Sequence, residues 1–180
     1  MRTRTARLTL LIFLVSLPAL FLVLAQISLK KFEGLRRGDL MPLAILHTVD
    51  DVPVETASWL GAPTLLVVIQ PGCEACRREI DTLAAIAPSF PELHVVLLST
   101  ETDIGEMPSP FPVYIDRDGG FLKQVRKLIT PAIYWMDASG KVRYARAGQH
   151  SAGEEKGLFR TLLEEAHGSH ALNEPRHRTP

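Results

Sequence analysis

Cysteine is scarce in this chain, with two among 180 residues. That is too few for a disulfide scaffold in a domain of this size, so the pair has to be interpreted through its spacing. An excess of either charge is also lacking, since 20 Lys and Arg face 20 Asp and Glu. No basic stripe marks a surface for nucleic acid or another anionic polymer, and no nucleic-acid partner is expected. No internal repeat appears.

Charge is missing altogether from Leu8 to Leu29. This run follows MRTRTAR, in which Arg2, Arg4 and Arg7 stand without an acid. At ~1.5 Å per residue such a stretch reaches about 33 Å as a helix, enough for a hydrocarbon core of about 30 Å. Residues 1–29 are therefore expected to be a membrane anchor that spans with residues 8–29. The basic flank stays in the cytoplasm and the rest of the chain lies on the far side, opposed only partly by Lys30 and Lys31. A cleaved signal peptide is the rival reading, because Val23-Leu24-Ala25 offers small residues where a signal peptidase cuts. An apolar face all round, after a basic start, argues against a buried core helix. The expected location is the inner membrane, single-pass, with the remaining domain facing the periplasm or another extracytoplasmic space.

The chain beyond Leu29 keeps 17 basic and 20 acidic residues, and its length suffices for one domain with a real core. Residues 30–41 (KKFEGLRRGDLM) read as a linker, and residues 42–166 as the domain. Short apolar runs from Pro42 to Thr56 suggest a hairpin around Asp50-Asp51. TLLVVI, residues 64–69, is continuous and rich in β-formers, as in a strand buried on both faces. Helical spacing from Cys73 to Ala87, ended by Pro88, predicts a helix. LHVVLL (93–98) then completes a βαβ unit, and FPVYID (111–116) reads as a further strand. Between them Ser99 to Pro110 is a proline-containing loop. A short helix over Gly120 to Leu128 precedes a terminal hairpin, AIYWM and KVRYARA, joined through Asp137-Ala138-Ser139-Gly140. A last helix, Ala152 to Ala166, presents Leu158, Phe159, Leu162 and Leu163 on one face. The tail 167–180 has little apolar content and is expected to be disordered.

Both cysteines fall in QPGCEACRRE, residues 70–79. Three chemistries compete for such a pair. A structural staple over so short a loop removes little chain entropy, well under the ~3 kcal/mol of a 15-residue loop. A metal site needs two further ligands, and the available pair with sensible spacing is His167 and His170, on a polar tail that supports a rigid site poorly. A redox dithiol needs a strand immediately before the pair and a helix immediately after it, which is the local pattern here. There Cys73 sits at the helix N-terminus, where free N–H groups favour a thiolate, and is expected to attack. Cys76, one turn on and on the apolar face, is expected to resolve the mixed disulfide. No metal or cofactor is called for.

With GDLMPLAIL, GAPTLLVVIQPGCEACRREIDTL and TPAIYWMDASGKVRYARAG in place, residues 38–166 resemble the thioredoxin superfamily. The likeness is to its exported, membrane-anchored TlpA/ResA-like branch of thiol-disulfide oxidoreductases. The resemblance implies an α/β fold, a central mixed sheet with flanking helices, following the N-terminal transmembrane helix. It also implies that Pro131 follows a cis bond and lies against Cys73, and that Thr130 hydrogen-bonds a bound substrate strand through its backbone. Gly72 and Glu74 would flank that substrate. Glu79 stands three residues after Cys76, where this branch commonly carries a glutamate that tunes the pair. The alternative is a solvent-facing helix acid, paired with Arg78 or unpaired. Glu74 acts in the same direction from a more exposed position.

Two departures from that pattern stand out. Pro71-Gly72 replaces the tryptophan usually found directly before the first cysteine, which implies a flatter and less aromatic partner surface. The Ser99 to Pro110 loop is shorter and less helical than usual, which bears on substrate range. The implied activity is reduction of disulfides in exported partner proteins, apocytochrome c among them, with electrons resupplied by an inner-membrane donor. The direction of electron flow does not follow from the motif. A second hypothesis is a client-specific maturation or interaction factor for an exported redox enzyme. A thiol peroxidase is disfavoured, since it would want a threonine close to the first cysteine and Thr64 is too far from Cys73.

Overall fold

The computed structural model describes residues 34–105, 107–125 and 129–172, with side chains described as far as Glu165. The expected anchor (1–29), the start of the linker and residues 173–180 lie outside the described residues. Among the described residues no helix is long and apolar enough to cross a membrane.

Seven strands follow in chain order: β1 (Ile45–Thr48), β2 (Pro53–Glu55), β3 (Thr64–Ile69), β4 (His94–Ser99), β5 (Val113–Ile115), β6 (Ala132–Met136) and β7 (Val142–Ala147). The helices are α1 (Glu74–Ile86), α2 (Leu122–Val125) and α3 (Ala152–Leu172). All strands join one mixed sheet in the order β2-β1-β5-β4-β3-β6-β7. The βαβ expectation holds, because β3 pairs parallel with β4, and β4 parallel with β5. The remaining pairs, β1 with β2 and β5, and β6 with β3 and β7, are antiparallel.

Every residue of TLLVVI is buried, and the two-residue period of a strand sends them to opposite faces. Leu65, Val67 and Ile69 meet Ile80, Leu83 and Ile86 of α1 and Phe159, Leu162 and Leu163 of α3. Leu66 and Val68 meet Leu46, Trp59, Phe121 and Val125 on the other face. Each such side chain contributes about 1.5–3 kcal/mol when fully buried, so a continuous apolar strand is the natural centre of a sheet covered on both sides.

α1 stops where the sequence demands it. Pro88 lies in the 3-10 turn Ala87–Ser89 that closes the helix, and it has no N–H with which to continue the ladder. In the hairpin after β6, Gly140 has φ +78°, and a Cβ there would stand 2.7 Å from Leu60 Cδ2. The glycine is thus required twice, by conformation and by space. α2 begins two residues after the expected Gly120, the end of that expected helix (126–128) lies outside the described residues, and Asp116 Oδ2 accepts the N–H groups of Phe121 (3.0 Å) and Leu122 (2.7 Å) at its start.

Two segments differ from the sequence expectation. Leu35 to Met41, read above as linker, runs along the terminal hairpin. There the Gly38 N–H donates to Val142 O (2.8 Å) and the Met41 N–H to Gly140 O (2.9 Å). Leu35 and Met41 are buried in the core, so the charged neighbours in LRRGDLM mask two anchoring apolar residues. α3 also runs on past Ala166 to Leu172, since no proline interrupts the chain before Pro175. Ser99 to Pro110 forms bends without a helix among its described residues.

Candidate active site

β3 ends at Ile69, and Gln70-Pro71-Gly72 turns the chain toward α1. Gly72 supplies the turn's left-handed residue (φ +73°), and the Cys73 N–H donates back to Gln70 O (3.2 Å). Cys73 is the N-cap of α1, with its Sγ accepting the Cys76 N–H at 3.1 Å. The two sulfurs are joined as a disulfide, with Cα atoms 5.2 Å apart. Their accessibility is unequal: Cys73 is half-buried at the rim of the core, whereas Cys76 is 1% exposed. That asymmetry is what an attacking and a resolving sulfur require. Gly72 and Glu74 are exposed on either side of Cys73.

The Thr130–Pro131 peptide bond is cis. Ala132 pairs with Val68, so Pro131 lies just past the register at the end of the sheet where β3 gives way to the cysteine turn. Its carbonyl accepts the Gly148 N–H (2.8 Å), which ties the proline to the end of β7. Pro131 is buried and Thr130 half-exposed, while Ile129 stands 60% exposed beside them. Cys73, Thr130 and Pro131 are thereby brought to one end of the sheet.

Glu79 does not face solvent. It is fully buried, and its Oε1 accepts Arg146 Nη2 at 2.7 Å while its Oε2 accepts the His150 N–H at 3.2 Å. Arg78 pairs instead with Glu74 (3.1 Å), as does Arg77. Hydrogen bonds from Arg78 and then Arg77 hold the Glu74 carboxyl below the usual range. Glu74 is therefore not an unpaired acid beside the sulfurs, because two arginines on the same helix face neutralise it.

Arg146 makes a second ion pair, with Glu155 of α3, and also donates to Gly148 O. Arg146 is 7% exposed and Glu155 fully buried, so one guanidinium sits between two buried carboxylates from different helices. Burial pushes the Glu155 carboxyl up, Arg146 pulls it down, and Glu79 pushes it up again, for a net upward shift. Glu155 Oε2 and Arg146 Nε are buried without a partner among the described residues. None of Arg146, His150 and Glu155 was anticipated from the sequence. An arginine in a terminal hairpin strand and an acid in a helix's first turn both read as solvated charges, and no local pattern distinguishes these two.

No group of three or more metal-ligating side chains occurs among the described residues, and the side chains of His167 and His170 lie outside them. Thr64 is buried at the far end of β3 from the cysteine turn, with its hydroxyl directed to Trp59 O (3.4 Å). It is not part of the site.

No family model and no curated protein matches the chain. Solved structures do. A Chlorobium tepidum protein described as a thiol:disulfide interchange protein DsbE superposes with TM-score 0.60 at 21% identity, covering 72% of this chain and 97% of its own. The fold is thioredoxin-like. A second thioredoxin-like match is a secreted Mycobacterium tuberculosis disulfide oxidoreductase homologous to E. coli DsbE, with TM-score 0.54 and 25% identity over 63% of this chain and 92% of that one. Thiol peroxidase from Chromobacterium violaceum also matches, with TM-score 0.60 and 14% identity over 74% of this chain and 90% of its own. The thioredoxin-like fold thus hosts more than one thiol chemistry, and the site has to decide between them. The oxidoreductase neighbours, together with the Cys73–Cys76 disulfide, support a redox enzyme.

Proposed function

We propose that this protein is a thiol-disulfide oxidoreductase that reduces disulfides in exported partner proteins and is tethered to the membrane through residues 8–29. The observation that carries the reading is the unequal pair: half-buried Cys73 capping α1, bonded to fully buried Cys76, at the sheet end that carries the cis Thr130–Pro131 bond. In the reduced protein the Cys73 thiolate attacks one sulfur of a client disulfide, and the other client sulfur leaves as a thiolate and takes up a proton. The Cys76 thiol then loses its proton and attacks Cys73 Sγ, which releases the second client thiol and forms the Cys73–Cys76 disulfide. Two electrons have passed to the client. A dithiol donor, for which an inner-membrane protein is the natural source, returns them by the same exchange in reverse.

Helix capping favours the attacking sulfur as an anion, because it sits at the N-terminus of α1 and accepts the first-turn N–H of Cys76. Thr130 offers its backbone to an extended client segment, with Gly72 and Glu74 flanking it. The haem-binding cysteines of apocytochrome c are the client class that the TlpA/ResA-like resemblance suggests. Turnover tests the reading. The reduced protein should reduce insulin with an electron donor present, and Cys73→Ser should abolish that turnover without loss of fold. Full turnover in a variant lacking both cysteines would contradict it.

A further inference from the structure

Glu79 follows Cys76 by one helical turn on the buried side of α1, about 4.5 Å along the axis. Both of its oxygens are occupied by donors from outside the helix, Arg146 Nη2 and the His150 N–H. The charge of a carboxylate so held is offset by the guanidinium it touches. The same guanidinium also holds Glu155, which lies 76 positions after Glu79 in the chain and is brought here by α3. We infer that the electrostatic element behind the dithiol is the unit Glu79–Arg146–Glu155, in which Arg146 neutralises one carboxylate and Glu155 supplies the surplus negative charge. Arg146 and Glu155 are positioning residues, acting on the sulfurs through their field and through Glu79 rather than by contact. The inference rests on the reading of Cys73 and Cys76 as a working dithiol.

Every element packed here has a charged or titratable group facing Glu155: Glu79 from α1, Arg146 from β7, His150 from the loop after β7 (Nδ1 to Glu155 Oε1 4.0 Å), and Glu154 from α3 itself. Two carboxylates against one guanidinium leave one uncompensated negative charge in a buried setting. Such a charge opposes a second anion nearby, so the unit holds the Cys73 thiol above the value that helix capping alone would set. Burial of Glu155 and its upward shift make it the member through which pH adjusts that charge.

The test is the rate of Cys73 alkylation by iodoacetamide against pH, in the reduced full chain and in Glu79→Gln and Glu155→Gln. Glu155→Gln keeps the shape and an acceptor for Arg146 while removing the surplus charge. Its Cys73 midpoint should fall by about half a unit or more, in the same direction as Glu79→Gln, raising the alkylation rate below the midpoint about threefold. Glu155→Asp should stay near wild type. A wild-type midpoint in Glu155→Gln alongside a shifted Glu79→Gln overturns the inference and leaves Glu79 as the only tuning acid. Should Glu155→Gln fail to fold, the wild-type protein decides by reciprocity. The ¹³C resonance of the Glu155 carboxyl should inflect at the Cys73 midpoint in the reduced protein and not in the oxidised one. No inflection in either state overturns it. Insulin turnover is not read here, so a chain that titrates as expected yet reduces no protein disulfide contradicts the proposed function alone.

Discussion

Truncation of Arg146 tests how much the fold depends on its buried charges. The guanidinium is 6% exposed and the two carboxylates it joins are fully buried. Arg146→Ala leaves both carboxylates buried without their shared cation, and removing one partner of such a pair costs about 3–5 kcal/mol. For a domain near 150 residues about 4 kcal/mol corresponds to a Tm loss of roughly 12 °C. Arg143 is the internal control. It pairs with Asp137 at 2.6 Å but is 42% exposed, so Arg143→Ala should cost no more than about 1 kcal/mol. Urea unfolding of the oxidised proteins, followed by circular dichroism, measures both. The deficit of Arg146→Ala should also depend on pH, with a definite sign. Burial pushes the Glu155 carboxyl above its unfolded value of 4.5, and loss of Arg146 removes the cation that pulls it back. A group raised in the folded state stabilises the fold below its unfolded value and loses that contribution as pH rises through the folded one. The variant should therefore recover toward wild type as pH falls through the raised folded value toward 4.5. An Arg146→Ala protein as stable as Arg143→Ala, with no such recovery, refutes the reasoning.

Other outcomes follow from single contacts. Asp137 lies in the β6–β7 turn, where its Oδ1 accepts the N–H groups of Ser139 (2.9 Å) and Lys141 (3.1 Å) and its Oδ2 accepts Arg143 Nε. Asp137→Ala should lose about 1–3 kcal/mol in chemical denaturation. Burial acts upward on the Asp137 carboxyl, but hydrogen bonds led by those from Ser139 and Arg143 outweigh it and hold it below 3.8. The wild-type advantage is accordingly full above that value and fades as pH falls through the lower folded one. Ile129 stands 60% exposed beside the cis bond, so under the proposed exchange its side chain is expected to meet a client rather than the core. Ile129→Ser should leave Tm within about 2 °C of wild type and raise KM for insulin about fivefold at nearly constant kcat, the loss of ~1 kcal/mol of apolar contact. A Tm drop without a change in KM would place Ile129 in the fold instead.

How much of this was legible beforehand depends on the range of the forces involved. The central strand, the capped helix and the terminal hairpin are local patterns of period, proline and glycine, and each appears close to where TLLVVI, CEACRREIDTL and DASGK put it. The dithiol and its order of accessibility follow from the same local facts, because a helix face buries one cysteine and a helix start exposes the other. Glu79 marks the limit. Its neighbours in sequence offered Arg78 as a partner, whereas the real partners are 67 and 71 positions away and arrive only through β7 and the loop after it. Leu35 and Met41 were hidden in the same way, as apolar residues within a charged run whose use depends on a distant hairpin.

Capture of a client tests the central claim most directly. In Cys76→Ala the attacking sulfur remains and the resolving one is gone, so the reaction should stop at the mixed disulfide. Full-length Cys76→Ala, incubated with a disulfide-containing exported protein and alkylated to block free thiols, should form an adduct on non-reducing electrophoresis that dithiothreitol dissolves. Mass spectrometry should place the bond at Cys73, and Cys73→Ser/Cys76→Ala should form none. No adduct from Cys76→Ala, or equal adduct from the double variant, contradicts the assignment of Cys73 as the attacking sulfur and with it the proposed exchange.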